Sequence, residues 1–362
     1  MRVLQFAKRS VTLLATVSVA LTGCGDSGPD VPFNPAGTSA DLEAVNAAFG
    51  SSIFASFSSL SYLFDAAYGA PLVSSSAAAM DIRASGTAGM RAGAMRSAQR
   101  LAGLLPAAGN KSFSASSAAI PAGIAGKTFE YSGGSYVAGV RTGAPANGVR
   151  FLLYAVDPVT FMPVEPLVET GYVDITDLSG TNTQSARVQV VSGGTTYIDY
   201  TVTANNLTGR ITVVGFVTDG THQANLNLGA SLSSAGVLTL VYGLNVPQRD
   251  ISIALTLTLS GLDPQTATIN ISLTMSGPNG TVSLSGQFTS TGGTLTVRTG
   301  GKTFATITVT GAAEPVITGA DGLPITAEDA AALRGVFELT SEAFVSFDQM
   351  LAPVVFFLAP AA

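Results

Sequence analysis

The stretch Ile251-Ser252-Ile253-Ala254-Leu255-Thr256-Leu257-Thr258-Leu259-Ser260 carries an aliphatic side chain at every odd position and a small or hydroxyl side chain at every even one. A period of two is the pattern of a β-strand with one face buried and the other in water. The same rhythm runs through Ile269, Ile271, Leu273 and Met275, set against Asn270, Ser272 and Thr274, and continues at Val282, Leu284 and Phe288. Upstream, Leu226, Leu228, Ala230 and Leu232 share one strand face, as do Leu238, Leu240, Tyr242, Leu244 and Val246.

Turn signals separate these runs at Gly193-Gly194, Asn205-Asn206, Asp219-Gly220, Asp263-Pro264, Pro278-Asn279-Gly280 and Gly292-Gly293. They predict about eleven or twelve strands between Lys127 and Val309. The connections are too short for crossover helices, so the strands are expected to form an antiparallel meander. A sheet that wide must curl, split or close.

Helical patterns flank the sheet. Thr38 or Ser39 opens a stripe of Leu42, Val45, Phe49, Ile53, Leu60, Phe64 and Ala67 at helical spacing, ended by Gly69 and Pro71. This reads as one helix from Ser39 to Tyr68. Near the other end, Thr326 and Asp329 resemble a capping box. Leu333, Phe337, Thr340, Phe344, Phe347 and Leu351 then line one helical face, with Glu338, Glu342 and Asp348 on the other. The tail Val354-Val355-Phe356-Phe357-Leu358 lies between Pro353 and Pro360. The expected fold is mainly β, of the α+β class. It is a large curved antiparallel meander sheet or open barrel, with N- and C-terminal amphipathic helices packed on its apolar face.

The expected organisation is a segment 39–126 that is helical and rich in Ala, Ser and Gly, a β domain 127–310, and a C-terminal helix and tail 311–362. Segment 39–362 is read as one structural unit. Within it, Met80 to Leu105 suggests a further helix bearing Arg83, Arg91, Arg96 and Arg100 against Asp81. Gly86, Gly89 and Gly93 each weaken such a helix by roughly 1 kcal/mol relative to Ala. A basic amphipathic helix can lie on anionic lipid, but the segment reads rather as a solvated face on a weakly ordered stretch.

Charged residues make up only 11% of the 362, and hydrophobic ones 46%. The apolar run Val11 to Leu21 is about half the ~20 residues a transmembrane helix needs. Runs of alternating residues also suit outer-membrane strands. However, Trp is absent and the nine Tyr are too scattered for two aromatic girdles.

The N-terminus has its own grammar. Arg2, Lys8 and Arg9 precede the apolar run, which ends in Leu21-Thr22-Gly23-Cys24. This resembles the lipobox of bacterial lipoprotein signal peptides: an aliphatic residue, two small residues and a cysteine. The resemblance covers residues 1–24 and implies that 1–23 are removed and that Cys24 carries lipid. It implies a diacylglyceryl thioether first and an N-acyl chain after cleavage. Each buried methylene adds about 0.8 kcal/mol, so two or three chains anchor stably. Gly25 stands where an Asp would signal inner-membrane retention, which points to the outer membrane of a bacterial cell envelope. Residues 24–38 are then the lipidated cysteine and a flexible Gly/Pro/Asp/Asn tether.

Candidate chemistry is sparse. Without Arg2, Lys8 and Arg9, the 17 basic residues fall to 14 against 23 acidic, a net charge of −9. That balance argues against nucleic acid, which needs clustered Lys and Arg. Gly25-Asp26-Ser27-Gly28-Pro29 matches the string around a serine-protease nucleophile, but only a signal segment precedes it and the sole histidine is His222. His222 lies beside the Asp219-Gly220 turn and reads as a loop residue. One His and one Cys are too few for a zinc site.

Asp174, Asp177 and Asp199 are acidic residues of one hairpin group, and carboxylates gathered there could hold calcium, which takes six to eight oxygen ligands. Asp174 and Asp177 differ by three positions, which puts them on opposite strand faces, so they read as a solvated edge. Gly300-Gly301-Lys302-Thr303 has the ending of a P-loop, but position 296 is Thr and a strand follows. No Gly-x-Ser-x-Gly nucleophile elbow occurs.

The sequence therefore predicts a non-catalytic envelope lipoprotein without metal or cofactor. Its expected partners are the membrane, through lipidated Cys24, and an amphiphilic or apolar ligand between sheet and helices. By architecture alone, with no motif linking them, the body resembles half-barrel carriers of lipids and lipoproteins in bacterial envelopes. The alternative is a structural or surface-interaction lipoprotein with a filled core. An outer-membrane barrel and an enzyme rank below both.

Overall fold

The computed structural model describes residues 33–67, 119–157, 160, 162–205, 207–233, 235–261, 266–310 and 315–358. The predicted signal segment with Cys24 and the predicted helix Met80 to Leu105 lie outside the described residues.

The alternating stretch forms strand β10 (Ile251–Ser260), between β9 (Val237–Val246) and β11 (Thr268–Gly277). Leu255 stands opposite Tyr242 on β9 and Leu273 on β11, while Thr256 stands opposite Val241 and Ser272. The inward row is apolar apart from the tyrosine hydroxyl, because register ties the period of two of one strand to that of the next, while the outward row mixes Val241 with Thr256 and Ser272. The sheet continues through β12 (Gly280–Thr289), β13 (Gly292–Thr299), β14 (Lys302–Thr310) and β15 (Val316–Gly319). In the other direction it holds β8 (Gln223–Leu232), β7 (Arg210–Thr218), β6 (Thr195–Asn205), β5 (Thr183–Ser192), β4 (Glu169–Asp177) and β3 (Gly148–Tyr154).

Beyond β3 the order changes. β1 (Lys127–Ser132) lies beside β3, and β2 (Ser135–Ala138) forms the edge. The result is one open sheet of 15 strands whose edges are β2 and β15. This corrects the count of eleven or twelve. It also corrects the wholly antiparallel expectation, since β1 runs parallel to β3. Strands as short as β2 and β15 carry too few alternations to be counted by period. The chain also leaves the β1–β2 hairpin through a stretch without regular structure, which leaves room for the reversal of direction. Both edges are four residues long, which limits edge-to-edge pairing with other sheets.

Fifteen strands at about 4.8 Å span roughly 70 Å, whereas three helices side by side span roughly 30 Å. The inward residues from Val149 on β3 to Val309 on β14 nonetheless belong to one buried core that includes the helices. The sheet must therefore curl around them. At Gly215 in β7 the neighbouring backbone comes close, and a side chain there would run into Asp199 and Tyr200 on β6.

Two helices precede the sheet, where a single one was expected. Helix α1 (Pro35–Phe49) starts within the predicted tether, because the Asn34 side chain accepts the Gly37 N–H at 2.9 Å and Pro35 suits the first helical turn. It ends at Gly50, whose N–H reaches the carbonyls of Asn46 and Ala47. Ser51 Oγ then accepts the Phe54 N–H at 3.2 Å and opens α2 (Ser52–Ala67). The apolar stripe survives the break, with Leu42, Val45, Ile53 and Leu60 all buried.

Helix α3 (Ala327–Leu358) starts where expected. The Thr326 hydroxyl accepts the Asp329 N–H at 3.1 Å and donates to the Asp329 carboxylate at 2.7 Å. It passes through Pro353 and includes the segment read as a tail. An internal proline costs about 3 kcal/mol. Burial of Met350, Leu351, Val354 and Phe357 on both sides of it offsets that cost. No helix among the described residues is long and apolar enough to cross a membrane.

Candidate functional site

The inward face of the sheet carries most of the buried apolar side chains among the described residues, and its two halves are closed differently. The helix backbones approach the sheet most closely along β2 to β8. There Val173, Ile175, Val188, Val190, Ile198 and Val202 are fully enclosed. In the middle of β9 and β10, Leu240, Tyr242, Ile253 and Leu255 retain slight exposure, the greatest being 8% at Tyr242. At the ends of the same strands Leu238, Val246, Ile251 and Leu259 are closed again.

Two tyrosines sharpen this difference. Tyr200 on β6 packs edge-on against Phe57 of α2, and its hydroxyl donates to the main-chain carbonyl of Met350 in α3. Tyr242 on β9 lies between Leu228 and Leu255 and keeps slight exposure. Burial raises the phenol of both above the ordinary tyrosine value. Another inward polar group, Gln184 on β5, has its Oε1 buried without a partner among the described residues. Tyr242 was placed on the inward face by alternation, but Tyr200 was missed. The same alternation, Ile198-x-Tyr200-x-Val202, could have found it.

The outward face is polar. Thr256, Ser272, Ser285, Thr296, Thr306 and Thr318 stand opposite one another on six successive strands. Thr258, Asn270, Gln287, Thr294 and Thr308 form the next row.

The acidic residues weighed as calcium ligands occupy this face or its end, each with its own partner. Arg150 holds Asp174 through two hydrogen bonds of 2.7 Å, and its guanidinium lies 3.7 Å from the centre of the Tyr172 ring. Arg187 grips Asp199 at 2.8 and 2.5 Å, joined by Gln189 Nε2 at 3.0 Å. Asp177 accepts from the Ser179 N–H at 2.8 Å and the Ile120 N–H at 3.4 Å. Asp174 and Asp199 lie within the sheet and are partly covered, which corrects the reading of a solvated edge. No group of three or more metal-ligating side chains occurs among the described residues.

His222 lies in the β7–β8 turn, as expected, with Nδ1 at 3.3 Å from Asp219 Oδ2. Burial works to raise the Asp219 carboxyl. The N–H groups of His222 and Thr221, with the His222 ring, outweigh it and hold the carboxyl below its ordinary value. The Gly300–Gly301 pair forms the β13–β14 turn with both glycines at positive φ, so no helix follows to make a P-loop.

No family model matches this chain, and no curated protein or solved structure is found to be similar to it.

Proposed function

We propose that this protein is a non-catalytic lipoprotein of the bacterial envelope, anchored through lipid on Cys24, that binds an amphiphile between the β8–β12 half of the apolar face and the helices. The observation that carries the reading is the set of inward side chains in the middle of β9 and β10, Leu240, Tyr242, Ile253 and Leu255, which keep slight exposure on an otherwise closed apolar face. The surrounding Leu226, Leu228 and Leu244 suit an apolar tail.

The test is native mass spectrometry of the full chain extracted from bacterial membranes in neutral detergent. We expect covalent acyl mass on Cys24 that is lost in Cys24→Ala. We also expect a separate lipid mass that dissociates on collisional activation. A chain that never carries dissociable lipid, even after incubation with native envelope lipid, would eliminate the ligand-binding reading.

The rows of exposed hydroxyl and amide groups on β10–β15 favour a second reading. In it, the outward face contacts envelope polymers and the helices merely fill the core. Retention of the chain on purified cell-wall polymer, undiminished when the interior is empty of lipid, would support it.

A further inference from the structure

We infer, resting on the lipid anchor proposed above, that the end of the sheet formed by the β9–β10, β11–β12 and β13–β14 turns faces the lipid bilayer. The inference follows from where the chain joins the body. Helix α1 is the first described element after Cys24, and its first turn is fastened to the β11–β12 turn. Asn34 Nδ2 donates to Asn279 Oδ1 at 3.2 Å, and Asn279 Nδ2 donates to both oxygens of the buried Asp41 carboxylate at 3.2 Å. The fit is so close that a side chain at Gly37 would run into Asn279. Just before Asn34, the Phe33 ring centre lies 4.9 Å from that of Phe304, beside the β13–β14 turn. Arg298 pairs with Thr303 and Val297 with Ala305, so Phe304 is an extra residue in β14. A bulge of this kind re-aims a side chain, and the Phe304 ring meets Phe33.

In a meander, alternate turns share an end. The β3–β4 connection therefore lies at this near end, while the β4–β5 and β6–β7 turns lie at the far one. Cys24 stands ten residues before Asn34. A coil of that length spans roughly 18 Å, and fully extended it reaches at most about 36 Å. Strands such as β10 and β11, of ten residues each, separate the two ends by about 33 Å. A lipid on Cys24 therefore holds the near end against the bilayer, and presenting the far end would need the linker drawn almost straight. Hydrophobicity does not make the choice. Met162 and Leu323 are exposed at the near end, but so are Leu178 and Leu207 at the far one.

The experiment uses the full-length lipidated chain, reconstituted into phosphatidylcholine vesicles that carry a head-group spin label. Arg249→Cys and Leu323→Cys place a fluorophore at the near end, and Leu178→Cys and Leu207→Cys place it at the far end. All four positions are exposed. Quenching at 249 and 323 should exceed that at 178 and 207 by at least about threefold, because the far end stands some 33 Å further off. Inserting about thirty Gly/Ser residues after Gly25 widens the coil to roughly 35 Å and should bring the ends within about 1.5-fold. Equal quenching with the native linker, or greater quenching at 178 and 207, would overturn the inference and leave the anchor intact. A contrast that survives the insertion would overturn the linker as its cause. A chain that carries no acyl mass on Cys24 and does not float with the vesicles would sink both the inference and the anchor.

Discussion

Tyr200 and Tyr242 sit on the same face of one sheet, on β6 and β9, each with aliphatic residues two positions away on either side. Tyr200 meets a helix. Phe57 abuts its ring, and the Met350 carbonyl takes its proton. Tyr242 lies beyond the strands that the helix backbones approach most closely, and its side chain keeps slight exposure. Alternation thus delivers a side chain to a face, but only a second element can satisfy it. Where the second element fits, the sheet has a core; where it does not, the sheet has a candidate binding wall.

This contrast is open to direct attack. Phe57→Ala empties the sealed half and should cost about 3–5 kcal/mol in urea unfolding. Leu255→Ala on the other half should cost less, about 2 kcal/mol, because its surroundings are less tightly closed. Equal losses would show that the two halves are packed alike.

Alkaline pH probes both tyrosines together. Their phenols are raised in the fold, so above about pH 10 the unfolded chain releases protons that the native chain retains. Stability is then full below that pH and falls as pH rises. The slope approaches about 1.4 kcal/mol per pH unit for each such tyrosine. Tyr242→Phe and Tyr200→Phe should each flatten the fall by one proton, measured by urea titration at several pH values.

At neutral pH the same two substitutions should part company. Tyr200→Phe strands the Met350 carbonyl and should destabilise by about 1 kcal/mol. Tyr242→Phe breaks no hydrogen bond to the described helices and should change stability by less than about 0.5 kcal/mol. Matching losses would mean that Tyr242 is held as firmly as Tyr200. The smallest change belongs to the outward face. Ser272→Ala should alter stability by less than about 0.5 kcal/mol, because its side chain is exposed.

Much of the body was legible from residues alone. The inward sets Leu226 to Ala230, Leu238 to Val246, Ile251 to Leu259 and Ile269 to Met275 are buried as their period required. The Thr326–Asp329 cap forms because both groups are local. The errors cluster where a local rule was overruled. Gly50 and Ser51 each cap a helix end, and so divide a stripe whose spacing looked continuous. Val354 to Leu358 reads as a tail after Pro353, but burial of the neighbours of that proline carries α3 past it. Asp174 and Asp199 looked like free carboxylates, because the arginines that hold them come from other strands.

By itself, then, the sequence determined the class of fold, the meander of β3 to β14, and which side chains face inward. These properties repeat every two residues and are joined by short turns, so each is set within a few positions. The tertiary structure decided the parallel insertion of β1, the pairing of Arg150 with Asp174, and the different fates of Tyr200 and Tyr242. The hydroxyl of Tyr200 finds its acceptor 150 residues further along the chain. No local period encodes such a partner; it exists only once the sheet has curled and α3 lies across it.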